Sequence, residues 1–163
     1  MRKIKLDRID RRILRDLQAD GRMTNVELAR RAEISAPPCL RRVRALEEAG
    51  FIRGYHADID PALLGFGVTV FASVGLSSQA ETDLRAFERL VGTWPEVREC
   101  HMLAGENDFL LRVVAHDWDA YQRFLTTRLT AAPNVSHVKS ALAIRSAKEL
   151  PGVPIDEEET AAA

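Results

Sequence analysis

Three arginines, Arg41, Arg42 and Arg44, stand within four consecutive positions of this 163-residue chain. A guanidinium group stays charged at neutral pH, and its fork of N–H donors pairs with phosphate oxygens or with the acceptor edge of guanine. Such a cluster can therefore bind nucleic acid if a helix presents the side chains outward. A solvated surface helix is the alternative, and the neighbouring segments decide between the two.

The arginines lie in a segment, residues 35–50, whose two ends carry helix signals. Ser35 is predicted to be the N-cap. Pro37 and Pro38 suit the first turn, where a missing N–H costs little, and Gly50 can end the helix in a left-handed conformation. At 100° per residue, two of the arginines fall opposite an apolar stripe. That stripe consists of Cys39, Val43 and Leu46.

Two further helices are predicted before this segment. The apolar residues of 7–20 repeat at helical spacing, and Gly21 ends that helix. Thr24 and Glu27 have the spacing of a capping box, in which each side chain accepts a hydrogen bond from the other residue's N–H. The predicted order is a helix, a short helix, a brief turn and a longer basic helix, which is the helix-turn-helix pattern. The buried side of the short helix is predicted to be Val26, Leu28, Ala29 and Ala32.

The net charge of −1 hides an asymmetry between the two parts of the chain. Residues 1–55 contain 14 Lys and Arg against 8 Asp and Glu, a net charge of +6. Residues 56–163 contain 9 against 16, a net charge of −7. A basic part joined to an acidic part indicates that only the first meets a polyanion, which favours DNA binding over a plain helical bundle.

The other reactive side chains show no catalytic or metal-binding spacing. Cys100 and His101 are neighbours on a predicted strand and point to opposite faces, so they cannot share one metal ion. Two cysteines make no disulfide framework, and the sequence shows no signal core or membrane-length apolar run, so a cytoplasmic location is expected. Without a phosphate-binding loop or nucleophile motif, we expect neither an enzyme nor a metal or cofactor site.

From Val68 onward the apolar period alternates between strand-like and helical. The order strand, helix, strand, strand, helix, strand is the ferredoxin-like unit, with both helices on one face of an antiparallel sheet. An α+β protein is predicted, with a winged-type helix-turn-helix domain followed by a ferredoxin-like domain. The strands are predicted at 68–76, 97–104, 109–116 and 135–145, and the helices at 80–94 and 117–132.

The change of pattern sets the predicted domain boundaries. The helix-turn-helix domain takes residues 1–55, a linker 56–67, the ferredoxin-like domain 68–148, and an acidic tail, expected to be mobile, 149–163. Leu110 points opposite to its apolar neighbours on the third strand, so both faces of that strand are apolar. An exposed apolar sheet face marks an association surface, and we expect a homodimer that pairs its sheets and sets two recognition helices on one duplex.

Five stretches of this chain together carry a family resemblance. They are L-D-R-I-D-R-R-I-L at 6–14, D-G-R-M-T-N-V-E-L-A at 20–29, P-C-L-R-R-V-R-A-L-E-E-A-G-F-I at 38–52, E-C-H-M-L-A-G-E-N-D-F-L-L at 99–111 and A-Y-Q-R-F-L at 120–125. On these stretches the chain resembles the leucine-responsive regulatory protein/asparagine-operon regulator (Lrp/AsnC) family over about residues 6–148. The resemblance implies a transcription regulator of amino-acid-related metabolism that binds double-stranded DNA. It also implies dimers that often assemble into octamers, and an amino acid or related metabolite as effector.

In the family, the effector lies between neighbouring dimers, around the turn after the second strand. Gly105 allows close backbone approach, turn amides can hold a carboxylate, and Asp108 could pair with an α-amino group. Trp118 replaces a flexible Met of the leucine-responsive type and Ala141 a larger aromatic, so leucine itself is in doubt. Without the resemblance, a plain hairpin turn and a core Trp would be preferred. The implied effector residues are Met102, Leu103, Ala104, Gly105, Glu106, Asn107, Asp108, Trp118, Ala141, Leu142 and Ala143.

Two functions remain open from the sequence. In a DNA-binding regulator, the arginines at 41, 42 and 44 would contact bases or phosphates, whereas others would contact phosphates only. In the alternative, a metabolite-binding module or enzyme subunit, the basic helices would serve a protein partner. The predicted DNA-binding residues are Arg30, Arg31, Ser35, Pro37, Pro38, Arg41, Arg42, Arg44 and Arg53.

Overall fold

The computed structural model describes residues 5–156 and divides the chain into two compact units. Among the described residues, 5–58 and 148–156 belong to the first unit, and 59–147 form the second. The predicted fold class is confirmed: a helical N-terminal part precedes a four-stranded sheet with helices. Within residues 5–156, no helix is both long and apolar enough to cross a membrane.

Three helices form the first unit: α1 (Arg8–Ala19), α2 (Asn25–Arg31) and α3 (Ala36–Glu48). α1 begins with a capping box in which the carboxylates of Asp7 and Asp10 each accept the other residue's N–H, at 2.8 and 3.2 Å. After α3 the chain passes through Gly50 at φ +79°, the left-handed conformation expected there. The buried core of the unit consists of Ile13, Leu28, Ala29, Ala32, Cys39 and Leu46.

Three details of this unit differ from the prediction. Ser35 precedes α3 in an extended conformation, but its hydroxyl makes no capping hydrogen bond within the described chain. Thr24 Oγ1 accepts the Glu27 N–H at 3.3 Å, but the Glu27 carboxylate bonds to arginines of its own helix, so the capping box is half formed. Val26 is 70% exposed rather than buried, because the seven-residue α2 turns its other face to the core.

The second unit is an antiparallel sheet with two helices: β1 (Val68–Leu76), α4 (Glu81–Val91), β2 (Val97–Met102), β3 (Phe109–Ala115), α5 (Trp118–Phe124) and β4 (Val135–Leu142). The strand order is β2-β3-β1-β4, so β2 and β4 are the edges. β2 ends before the predicted 104, because the Leu103 N–H turns to bond the Asp108 carbonyl at 2.8 Å and closes the hairpin.

The second predicted helix of this unit changes geometry after Phe124. Residues Leu125–Leu129 form a π-helical turn instead of continuing α5. Thr126 Oγ1 donates to the Gln122 carbonyl at 2.9 Å, and Thr130 Oγ1 donates to the Leu125 carbonyl at 2.9 Å. Hydroxyls that bond to preceding carbonyls compete with the regular helical ladder, and this local competition accompanies the wider turn.

The core of the second unit lies between the sheet and its helices. On β3, Phe109, Leu111 and Val113 are buried, whereas Leu110 and Val114 on the opposite face are only partly buried. The sheet therefore shows the two apolar faces that the sequence predicted for this strand, one of which no helix of the unit covers. The pairing of two chains through that face stays a prediction.

The last described residues belong to the first unit rather than to a detached tail. The Val153 N–H donates to Gln18 Oε1 at 3.1 Å, and Gln18 Nε2 donates to the Val153 carbonyl at 2.8 Å. The described part of the tail therefore has partners on α1, and its expected mobility stays a prediction. The rest of that prediction, residues 157–163, lies outside the described residues.

Candidate nucleic-acid interface and ligand-binding region

The outward face of α3 presents two arginines to solvent. Arg41 and Arg44 are exposed and make no ion pair within the part of the chain that the structure describes. Arg53, just beyond the helix, is exposed in the same way. Charged side chains without an intramolecular partner need not break a contact before they bind a phosphate or a base edge. These three arginines are therefore available for contacts with DNA.

Arg42 differs from the other two arginines of the cluster because it faces α1. Its Nη1 lies 2.8 Å from Asp7 Oδ2 and 2.7 Å from Asp10 Oδ1, and Asp10 is only 7% exposed. Burial alone would raise the pKa of Asp7, but hydrogen bonds from the Asp10 amide and the Arg42 guanidinium outweigh it and lower that pKa. The hydrogen bond to Asp10 and, to a smaller extent, the hydrogen bond to Asp7 raise the pKa of Arg42. Arg42 thus fastens α3 to α1.

Arg30 and Arg31 share one carboxylate on α2. Arg30 bonds to both oxygens of Glu27 at 2.8 and 2.7 Å, and Arg31 Nε bonds to Glu27 Oε1 at 2.8 Å. The hydrogen bonds from Arg30 and, to a smaller extent, from Arg31 lower the pKa of Glu27 to about 2. All three side chains lie at the surface, where such pairs contribute little stability. The arginines can therefore exchange Glu27 for a phosphate at small cost.

The N-terminus of α3 is tied to α2 by a side chain whose role no sequence pattern indicated. Asn25 Nδ2 donates to the Ala36 carbonyl at 2.9 Å. Ser35 and Pro37 lie exposed beside this contact, and Pro38 is half-buried. Asn25 and Arg42 together fix α3 against both preceding helices. The sequence indicated neither contact, because each joins residues at least eleven positions apart.

The predicted effector loop, residues 103–108, joins β2 to β3 and is held to β4 by two polar contacts. Lys139 Nζ lies 2.9 Å from Glu106 Oε1, and His137 Nε2 lies 3.2 Å from Asn107 Oδ1. Both contacts bridge about thirty residues of sequence, so no local pattern indicated them. The loop residues before Asn107 are exposed. They are Leu103, Ala104, Gly105 and Glu106, and Met102 at the end of β2 is exposed beside them.

Asp108 lies inside the loop, where the sequence placed a partner for an amino group. It is 9% exposed, and its Oδ2 accepts the Leu76 N–H at 2.7 Å. Its own N–H donates to the Val74 carbonyl at 3.0 Å, and its carbonyl accepts the Leu103 N–H at 2.8 Å. Asp108 therefore joins both ends of the loop to the end of β1.

Asp108→Ala is expected to lower the free energy of unfolding by about 1–3 kcal/mol, because the buried Leu76 N–H loses its acceptor. Asp108→Asn keeps an acceptor oxygen at that place and should lose less. Urea denaturation followed by circular dichroism compares the variants. Equal midpoints for wild type and Asp108→Ala would contradict the structural role.

The remaining predicted effector residues form a second group on α5 and β4. Trp118 is 43% exposed and packs on Tyr121, with ring centroids 5.3 Å apart. Tyr121 is fully buried, and its hydroxyl lies 2.5 Å from Ser140 Oγ on β4. The next residues on β4 are Ala141 and Leu142, both exposed, followed by Ala143. This group offers an aromatic and apolar surface.

The two groups lie at opposite ends of the sheet. Met102 pairs with Phe109, which pairs with Val74 near the end of β1. The Ala143 N–H instead bonds to the Thr69 carbonyl at 2.9 Å, at the start of β1. Thr69 and Val74 are separated by five residues, which at the strand rise is roughly 16 Å. Within one chain, the loop and the Trp118 group therefore do not line one pocket.

Comparison with known proteins identifies both units. The family model for the Lrp/AsnC ligand binding domain matches residues 69–153, and that for a winged helix-turn-helix DNA-binding domain matches residues 6–53. The leucine-responsive regulatory protein of Rhizobium meliloti is 52% identical over 147 residues, which cover 90% of this chain and 94% of that protein. The Bkd operon transcriptional regulator of Pseudomonas aeruginosa is 45% identical, covering 86% and 92%.

Solved structures agree with the sequence relatives. A transcriptional regulator from Neisseria meningitidis, in complex with L-Met, superposes with a TM-score of 0.88 at 37% identity, covering 93% of this chain and 98% of that one. An AsnC family transcriptional regulator from Agrobacterium tumefaciens superposes with a TM-score of 0.86 at 38% identity, covering 91% and 97%. The chain belongs to the Lrp/AsnC family of transcriptional regulators, with a DNA-binding winged helix-turn-helix ahead of a ligand-binding domain.

Proposed function

We propose that this regulator binds an amino acid at a site completed by two chains, and that α3 contacts DNA through Arg41 and Arg44. One observation supports a ligand site made by two chains: the two groups of predicted effector residues lie at opposite ends of one sheet. The relative that was solved with L-Met supports an amino acid as the ligand class. Assembly beyond the dimer, as in an octamer, and action in the cytoplasm are parts of the same proposal.

On the DNA side, the proposed roles follow from what each arginine already contacts. Arg41 and Arg44 are the candidates for base or phosphate contacts, because nothing in residues 5–156 engages their charge. Arg30, Arg31 and Arg53 are proposed phosphate contacts, which set position rather than sequence. Arg42 is proposed to act indirectly, by holding α3 in place. The alternative of a module that serves only a protein partner is set aside, because a DNA-binding family model covers residues 6–53.

On the ligand side, the loop and the Trp118 group supply different chemistry. The exposed backbone of the loop around Gly105 offers N–H groups that can hold a carboxylate. Trp118 and Leu142 of a second chain offer apolar surface for the ligand side chain. This division suits an amino acid, which has a charged end and a variable end. Asp108 is proposed to shape the loop rather than to hold the ammonium group by itself.

Two variants that each lose amino-acid binding are expected to restore part of it when their chains are mixed. Trp118→Ala removes the apolar surface. Gly105→Val adds bulk on the loop, where nothing lies within 4 Å of an added Cβ, so the fold accepts it. Random pairing leaves about one site in four with an intact loop and an intact Trp118 group. Isothermal titration of the mixed assembly with a panel that includes L-Met measures the recovered sites.

Each of two negative outcomes would remove a different part of this proposal. No recovery in a co-assembled mixture would place the complete site in one chain. No heat with any of the twenty amino acids on wild-type protein would remove the amino-acid ligand. Native mass spectrometry, which separates assemblies by their content of each variant chain, confirms that the two chains have mixed.

A further inference from the structure

The C-terminal segment is held to α1 by two hydrogen bonds between Gln18 and Val153, which we call the clasp. Gln18 meets both backbone groups of Val153, donating to its carbonyl at 2.8 Å and accepting its N–H at 3.1 Å. A single amide side chain thus forms the two bonds that a neighbouring strand would form. The Val153 side chain is 65% exposed, so the clasp depends on these hydrogen bonds rather than on apolar burial.

The residue before Val153 is shaped for this contact. Gly152 has φ +70°, a conformation that residues with a Cβ rarely adopt. A Cβ added at Gly152 would lie 1.9 Å from Gln18 Oε1 and 2.4 Å from Gln18 Cδ. The glutamine amide would have to leave its position. The clasp can therefore be broken from either side, at Gln18 or at Gly152.

The segment held by the clasp is acidic, whereas the DNA-binding helices to which it is held are basic. Residues 1–58 contain 14 Lys and Arg against nine Asp and Glu, a net charge of +5. Residues 148–163 contain one Lys against five acids, a net charge of −4, and four of these acids are consecutive at 156–159. Docking at Val153 fastens the chain that carries these four acids, the first of which is Asp156 three residues later, to a unit whose own net charge is +5. A segment of net charge −4 fastened to a basic unit lowers the attraction of that unit for a polyanion.

We propose that the surface of α1 around Gln18 is a docking site for the chain's own acidic C-terminal segment, and that docking weakens DNA binding. The docked segment offsets the positive charge of the helix-turn-helix. Release exposes that charge to the phosphate backbone. Because both hydrogen bonds are exposed to water, which competes for the same groups, little free energy is needed for release. The segment also follows β4, so it is a covalent path from the ligand-binding domain to α1.

The first test is DNA affinity in the full-length chain. Gln18→Ala, Gly152→Ala and a chain that ends at Ala147 should each bind a duplex of arbitrary sequence about threefold to tenfold more tightly at roughly 0.1 M salt. The gain should shrink as salt rises, since it is electrostatic. Gln122→Ala is the matched control, because Gln122 is an exposed helical glutamine whose side chain has no hydrogen bond among the described residues. Fluorescence anisotropy measures the affinities.

A second test isolates the charge from the clasp. Asp156→Asn together with Glu157→Gln, Glu158→Gln and Glu159→Gln removes the acids but leaves Gln18 and Gly152 in place. In that background, Gln18→Ala should no longer change DNA affinity. A persistent gain would show that the clasp acts through something other than charge and would overturn the proposal.

Hydrogen exchange measured without DNA shows whether the clasp exists. Amides of residues 148–153 should exchange faster in Gln18→Ala than in wild type. Unchanged exchange would overturn the docking itself. Faster exchange with unchanged or weaker DNA binding would overturn the inhibitory role. Neither result depends on which ligand the second domain binds.

Discussion

Replacing Arg42 with alanine is expected to lower the free energy of unfolding of the helix-turn-helix unit by about 2–3 kcal/mol. The substitution leaves the Asp10 carboxylate, 7% exposed, without the guanidinium that lies 2.7 Å away. A fully buried pair broken in this way costs about 3–5 kcal/mol, but the Arg42 side chain is 34% exposed and water screens part of the loss.

Arg41→Ala is the matched control for this substitution. It removes the neighbouring arginine from the exposed face of the same helix and should change stability by less than about 0.5 kcal/mol. Urea denaturation followed by circular dichroism gives both values. Equal midpoints for the two variants would show that Arg42 does not fasten α3 to α1.

The contribution of Arg42 and its two aspartates to folding stability should depend on pH in a defined direction. Hydrogen bonds outweigh burial and lower the pKa of Asp7 in the folded protein below its ordinary value of 3.8. A carboxyl with a lowered folded-state pKa stabilises the fold above its unfolded-state pKa, and this stabilisation is lost as pH falls through the folded-state value. The stability difference between wild type and Arg42→Ala should therefore be constant from pH 7 to about pH 5 and narrow below about pH 4. A difference that grows on acidification would contradict this.

The second large effect is expected on DNA binding. Arg41→Ala and Arg44→Ala should each weaken specific binding by about 1–3 kcal/mol if the side chain contacts a base, and together by about thirtyfold or more. An arginine that contacts only phosphate should instead weaken all sequences alike and reduce the salt slope by about one unit. Neither change should unfold the unit, because both side chains are exposed.

Fluorescence anisotropy with a selected operator and with an unrelated duplex, each over a range of salt, separates base contacts from phosphate contacts. Arg85→Ala is the control, since it removes an exposed arginine from α4 in the other unit, where its partner is Glu81 at 2.6 Å. If the double variant keeps wild-type affinity and salt slope on both duplexes, α3 is not the DNA-contacting element.

The sequence predicted those features that depend on local periodicity. The inward stripe of α3 is confirmed for Cys39 and Leu46, because helical spacing alone places them on one face. The alternation of β3 and the order of strands and helices are confirmed for the same reason. Val26 is the exception, because a seven-residue helix has too little length for its pattern to define a face.

Long-range contacts could not be predicted in this way. Whether Arg42 faces DNA or α1 depends on where Asp7 and Asp10 come to lie, thirty-five and thirty-two residues away. The roles of Asp108 and Gln18 likewise depend on backbone groups of distant segments. The predicted effector residues were named from the sequence as one set, and the strand register places that set at two ends of the sheet.

Site-specific photocross-linking tests most directly whether the outward face of α3 lies on DNA. Leu40 is exposed at the edge of that face, and a photoreactive amino acid placed there leaves all the arginines intact. We expect cross-links to duplex DNA from position 40, and none from the same amino acid at exposed position 85 on α4. Binding of DNA with cross-links from position 85 and none from position 40 would contradict this expectation.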